Sequence, residues 1–294
     1  MAELASAQRR LRRRAMLIAA SGAVLVAAGL GALWWRGQPP PDPPPIVRPY
    51  LWRVDGEHPS YLLGTLHIAY GFDDLPASVR AAFARSTMVV VESDLLADAS
   101  PAAPAASAAS APDGGRARLT ADEWRRLARV TGEPEATLVG LPSAQLLGTL
   151  LASQTRSIEP MDRGIQARAT AARKEVVVLE DRDLTAVTDG AGRAMVSEAE
   201  VLDQVRMIAA QPEALRVALR RIVRAYADGG ARGCGPGAMA DFVDELNADW
   251  LAAIERAVAR GDAFVAIGCA HLEGPDGVLA RLRARGRTIT RVER

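Results

Sequence analysis

The chain reads as an α/β (α+β) protein. It is expected to hold a central, largely buried β-sheet made from two similar strand–Gly-x-x-His–helix–strand units, with a helical insertion between them and a transmembrane helix in front. Three observations predict this. Two apolar runs, Tyr61–His67 and Phe264–His271, each end in Gly-x-x-His. Each is followed by a Gly/Asp-rich turn, a segment of helical period and a further strand-like run. Ala15–Trp35 is a stretch of 21 residues without a formal charge.

That stretch would span roughly 30 Å as a helix, the thickness of a hydrocarbon core. Arginines at Arg9–Arg14 precede it, and Trp34–Trp35 suits a membrane interface. Residues 1–14 are therefore expected in the cytoplasm, 15–35 as a single-pass anchor in the cytoplasmic (inner) membrane, and the rest in the periplasm or outside the cell. A cleaved signal peptide is the alternative. The apolar stretch is longer than the usual signal core, and no A-x-A site follows it. Residues 36–47 form a linker in which Gln38–Pro45 carries six prolines in eight residues. Such a run favours extended polyproline II and would act as a semi-rigid spacer. The folded domain is expected over 48–294. The net charge of +1 gives no bulk attraction to nucleic acid. Two cysteines, Cys234 and Cys269, form a disulfide in an oxidising compartment or remain unpaired.

Within the domain, Tyr50–Val54 and Ser60–His67 read as two strands joined by the turn-forming Asp55–Pro59, with His58 in the turn. Leu75, Val79, Ala82 and Phe83 give helical spacing over 75–85. Thr87–Asp94 is β-branched and continuous, as expected of a strand buried on both faces of a parallel sheet. Residues 97–115 are low-complexity Ala/Ser/Pro/Gly sequence and read as a mobile insertion. Thr120 and Glu123 form a capping-box pattern for a helix through Val130. Further helices are expected at about 143–153, 163–173, 198–210, 212–228 and 238–260. Met239, Phe242, Val243, Leu246, Trp250, Ile254 and Val258 repeat at three and four along the last of these, and Gly261 ends it. Glu175–Asp181 is a second buried-strand candidate. The chain closes with a strand over 263–268, a helix over 275–285 and a strand over 288–292.

Ligand sites in open α/β sheets gather beyond the carboxyl ends of the strands. His67, Glu92 and His271 would each occupy such an end, with Asp94 close by. Gly64 and Gly268 allow close backbone approach. Two histidines and a carboxylate are a common ligand set for Zn²⁺, Mn²⁺ or Fe²⁺, with positions left open for water. A single strand-end histidine is more often a hydrogen-bonded structural residue. Two in matching frames, in a chain with three histidines, favour the metal. No H-E-x-x-H and no G-x-S-x-G pattern is present. Cys269 as a nucleophile beside His271 is disfavoured by its sequence adjacency.

These segments resemble the TraB/GumN/PrgY family, which includes the Tiki proteases. Tyr61–Pro76 resembles its first signature, a Gly-x-x-His followed by a Leu-Pro helix start. Val89–Asp94 resembles its Glu-x-Asp strand, and Met161–Asp181 its Asp-then-helix segment. Glu245–Trp250 resembles its Glu-Arg-Asn-x-x-Trp helix, and Ala266–Val292 its closing signature. The resemblance covers about Tyr50–Val292. It implies a ChaN- or EreA-like fold and, as in the Tiki branch, metal-dependent peptide hydrolysis. His67, His271 and Glu92 would hold a divalent Mn, Co or Zn ion. Asp94 or another acid would orient water, and Asn247, Asp162 and Glu180 would line or support the site. Leu246 stands where the family often has arginine. The expected partner is a peptide or protein substrate. The alternative is a non-catalytic module that captures a peptide signal. A third reading is a docking scaffold at the membrane with structural histidines.

Overall fold

A computed structural model of the chain describes residues 42–96, 116–154, 159–179, 198–230, 234 and 240–293. The expected anchor at 15–35, the insertion at 97–115, and Glu180 and Asp181 lie outside the described residues. Among the described residues no helix is long and apolar enough to cross a membrane.

The strands are β1 (Leu51–Val54), β2 (Ser60–Thr65), β3 (Met88–Val91), β4 (Glu175–Val178), β5 (Ala263–Gly268) and β6 (Ile289–Arg291). The α-helices are α1 (Ala77–Arg85), α2 (Ala121–Thr131), α3 (Glu135–Val139), α4 (Ser143–Ala152), α5 (Met161–Ala171), α6 (Glu198–Ala210), α7 (Pro212–Ala227), α8 (Ala240–Arg260) and α9 (Val278–Ala284). They fall into two compact units.

The first unit carries the sheet and comprises Asp42–Ala97, Ile158–Arg182 and Arg220–Arg294. Its strand order is β4-β3-β5-β2-β1-β6. β2, β3, β4 and β5 run parallel, while β1 is antiparallel to both β2 and β6. β1 and β2 form the expected hairpin. β5, with every residue buried, is central. Its uniformly apolar composition up to the final glycine follows from having strands on both sides and helices over both faces.

The connections wind in two directions. From β2 the chain passes through α1 to β3, and α5 leads into β4, one strand further towards the same edge. From β5 it passes through α9 to β6 at the opposite edge. Crossovers between strands of like direction are right-handed, so opposite travel places the helices on opposite faces. The packing agrees. α8 contacts α9, β5 and β3, whereas α5 contacts β3, β4 and the 3₁₀ turn Phe72–Asp74. β2 and β5 are therefore neighbours whose following loops leave to opposite faces. A crevice opens between such loops, at the topological switch point of the sheet.

Three expectations are corrected. Glu175–Asp181 is not a strand buried on both faces. β4 covers Glu175–Val178, has one strand neighbour among the described residues and is only half-buried. The two units are not equivalent repeats. β2 reaches β3 across one strand, but β5 reaches β6 across two, because the hairpin β1–β2 intervenes. The folded part also starts before residue 48. Ile46 is buried in the core, and Tyr70 Oη donates to the Pro44 carbonyl at 2.7 Å. The end of the proline-rich run is thus packed on the domain.

The second unit, in its described part, consists of residues 116–154 and 198–219. Thr120 caps α2, and its capping box with Glu123 is complete. Trp124, Leu127, Leu138, Leu146, Leu147, Leu150 and Val205 form a separate apolar core. The short α3 was not foreseen; Pro134 and Gly140 bound it, and one turn is too short to show periodicity.

Candidate functional site

The register of the central pair places the two motifs together. Thr65 at the end of β2 pairs with Gly268 at the end of β5. His67 and His271 then follow within three residues on neighbouring loops. Glu92 follows β3, the other neighbour of β5. His67 Nε2 and His271 Nε2 each lie 3.8 Å from a different oxygen of the Glu92 carboxylate. The Gly268 N–H also donates to Glu92 Oε1.

Each imidazole is held from behind. His67 Nδ1 lies 2.7 Å from Asp162 Oδ2, and Thr65 Oγ1 donates to Asp162 Oδ1 at 2.6 Å. His271 Nδ1 lies 3.0 Å from Asn247 Oδ1. Asn247 Nδ2 donates to the Asp276 carbonyl at 3.2 Å, which turns the amide oxygen towards His271. Both Nδ1 atoms therefore face acceptors and carry hydrogen, so both Nε2 atoms point at Glu92. The Trp250 ring packs on His271 with centroids 4.6 Å apart. Asn247 and Trp250 are three residues apart on α8 and so share a face.

The environments differ in charge. Burial opposes protonation of His67, but the Asp162 carboxylate, by charge and hydrogen bond, and the Glu92 charge together raise its pKa to about 9. Burial lowers the pKa of His271; the Glu92 charge works against this and the His67 charge adds to it. Burial would raise the Asp162 pKa, but His67 and the bond from Thr65 hold it below the ordinary range.

Glycine is needed twice, for different reasons. A Cβ at Gly64 would come within 2.9–3.0 Å of Cys269 and Leu272. This is where strand β2 meets the second motif. A Cβ at Gly268 would lie 3.1 Å from Glu92 Oε1 and 3.2 Å from His67 Nε2. The missing side chain keeps the space among the three groups open. Tyr226 Oη donates to the Gly64 carbonyl at 2.8 Å, steadying the same turn. Cys234 and Cys269 are joined by a disulfide, two residues before His271.

Among the described residues no group of three or more His, Cys, Asp or Glu side chains is placed to hold a metal ion. In kind, however, the donors fit a divalent ion. Ligating histidines characteristically donate their second nitrogen to a carboxylate or carbonyl oxygen. Here both Nδ1 atoms do so, and both Nε2 atoms face a carboxylate beyond hydrogen-bond range.

Asp94 is placed differently. Its Oδ1 accepts from Gln166 Nε2 at 2.7 Å and from the Leu96 N–H at 3.1 Å. Gln166 Oε1 accepts from the Leu95 N–H at 2.9 Å, so the pair orders the loop after β3. Leu246 is buried in the apolar core beside Asn247. His58 is exposed and pairs with Asp262 at 3.3 Å, away from the site. The expected Glu180 lies outside the described residues. Thr65, Gln166, Tyr226 and the contact of Trp250 with His271 were not singled out by the sequence. Trp250 carried a helical-core signal and closes the Glu245–Trp250 segment of the resemblance, neither of which points to His271, and Thr65 lies inside the Gly-x-x-His.

A doubly wound sheet with a His–carboxylate–His cluster at its switch point defines an α/β domain with a polar centre beyond the carboxyl ends of β2, β3 and β5. The TraB/PrgY/gumN family profile matches residues 50–291, and the chain belongs to that family. No curated protein and no solved structure matches it.

Proposed function

We propose that the domain is a metal-dependent hydrolase acting on peptide bonds, with His67, His271 and Glu92 holding one divalent Mn, Co or Zn ion. The observation that carries this reading is that two imidazoles about 200 residues apart in the chain converge, Nε2 first, on one carboxylate. The ion would supply Lewis acidity for a substrate carbonyl and for water. Asp162 and Asn247 keep the Nδ1 hydrogens in place and fix ring orientation, which leaves Nε2 of each ring for the ion; the proton that the raised pKa of His67 retains there would leave on binding. Trp250 and the buried end of β5 keep bulk water off the His271 side. Asp94, through Gln166 and the backbone it orders, positions the loop that carries Glu92. We place the domain outside the cytoplasmic membrane, tethered by residues 15–35. The Cys234–Cys269 disulfide supports an oxidising compartment.

The test uses the full chain purified in detergent. Metal content is measured after loading with Mn²⁺, Co²⁺ or Zn²⁺, in the parent and in His67→Ala and His271→Ala. A peptide library is then screened with and without chelator. The proposal expects about one ion per chain, its loss in both variants, and cleavage that chelator abolishes. Unchanged metal content in both variants, or none in the parent, contradicts it. Saturable peptide binding without products would assign the site to capture instead.

A further inference from the structure

We propose that the exposed face of α7 is a second membrane contact, a docking surface for anionic phospholipid headgroups beside the point where the tether joins the domain. Arg220, Arg221 and Arg224 are exposed and lie at three- and four-residue spacing, so they share one helix face. Among the described residues no hydrogen bond or ion pair engages their side chains. Arg216, one turn earlier, differs: it donates to Gln154 at 2.8 Å and pairs with Glu213. Ile222, 38% exposed, flanks the arginines and adds an apolar edge. Asp228, exposed just past the helix end, offsets one of the charges.

The occupant follows from where the chain comes from. The N–H groups of Val47 and Arg48 donate to the Ala227 carbonyl at 2.9 and 3.3 Å. The segment arriving from the N-terminus is thus pinned to the C-terminal end of α7, with Val47 63% exposed. Arg220 lies about 10 Å from Ala227 along the helix axis, and Arg224 less. Because Pro44 and Ile46 are already packed on the domain, the free tether is short. Only residues 36–41 separate the expected anchor from Asp42, and their span cannot exceed about 20 Å. The unpaired arginines therefore lie on the tethered side of the domain. Basic residues near an anionic bilayer favour the bound state by about five-fold each, so three give on the order of a hundredfold at low salt. A tether adds effective concentration without a new contact.

The inference rests on the reading of residues 15–35 as an anchor, and the experiment separates the two. The full chain is reconstituted in nanodiscs of phosphatidylcholine alone, or of phosphatidylcholine and phosphatidylglycerol in equal amounts. After a high-salt wash, retention on both disc types reports the anchor. Hydrogen exchange of the peptides covering 217–227 then reports the docking face. The expected result is several-fold slower exchange on phosphatidylglycerol discs at 50 mM salt. That protection should vanish at 500 mM salt and in the combined Arg220→Glu, Arg221→Glu, Arg224→Glu variant, and weaken in the corresponding Gln variant. Retention with equal exchange on both lipids overturns the docking face and leaves the anchor. Loss of the chain from both discs overturns the anchor and the docking face with it. Protection equal on both lipids and insensitive to salt would assign the face to protein contact, against this proposal.

Discussion

The two halves of the site carry the same four-residue motif but hold their histidines by opposite means. His67 is partly exposed and tied to a carboxylate, Asp162, that is itself bonded by Thr65. His271 is buried, tied to a neutral amide, packed on Trp250 and anchored two residues away by a disulfide. An ion pair steadies one loop. Covalent and apolar contacts steady the other. One consequence is electrostatic: two histidines aimed at one carboxylate have pKa values pushed in opposite directions, because a neighbouring charge outweighs burial on one side only.

Substitutions can test that contrast, beginning with the largest effect. Replacing Cys234 and Cys269 together by Ser opens a loop of 35 residues and should cost roughly 3–4 kcal/mol in denaturant unfolding. The loss should fall on the His271 side, so hydrogen exchange near 268–272 should rise more than near 65–68. Asp162→Ala should cost roughly 3 kcal/mol, since it leaves His67 and Thr65 without their shared partner. Asn247→Ala should cost about 1–2 kcal/mol, the price of one neutral hydrogen bond and an unpaired imidazole nitrogen. Equal losses in these two variants would remove the claimed asymmetry.

The glycines sharpen it further. Gly64→Ala pushes a methyl against Cys269 and Leu272, and should destabilise by about 1–3 kcal/mol through overpacking. Gly268→Ala pushes against flexible side-chain ends and should cost less stability, but should lower metal affinity, read by titration calorimetry, at least tenfold. A pH dependence of the chelator-treated chain separates the two histidines themselves. The His67 value, about 9 in the folded state, lies above its ordinary 6.5. Its contribution is therefore fully present below pH 6.5 and lost as pH rises through 9. The His271 value is lowered, so stability from that group is lost as pH falls below 6.5. Unfolding midpoints from pH 5.5 to 9.5 should show both declines. Asp162→Asn should abolish most of the alkaline one.

The sequence made the strands, most of the helices and the two motif histidines legible because each rests on a local pattern. β5 and α6 were predicted with the boundaries they have, from an uninterrupted apolar run and a clear helical period. Thr120 and Glu123 announced their capping box. What stayed hidden depends on partners far along the chain. The sheet order put β5 between β2 and β3, and only that order brings Glu92 between the histidines. Nothing local distinguishes Asp162 as the partner of His67 or Asn247 as the partner of His271; the family resemblance named both only as residues that line or support the site. Asp94, two residues from Glu92, would share its face on an extended strand, but β3 ends at Val91 and the chain bends at Glu92 and Ser93, which turns Asp94 to Gln166. β4 has the composition of a buried strand and lies at an edge, which composition does not encode.

The central claim is that His67 Nε2, His271 Nε2 and Glu92 close on one ion. Anomalous diffraction from crystals grown with Mn²⁺, Co²⁺ or Zn²⁺, recorded on both sides of the metal edge, tests it most directly. The account predicts a single strong peak bounded by those three side chains, with Asp162 and Asn247 still on the Nδ1 atoms. A peak elsewhere, or the two rings turned away from each other with no peak between them, would contradict it.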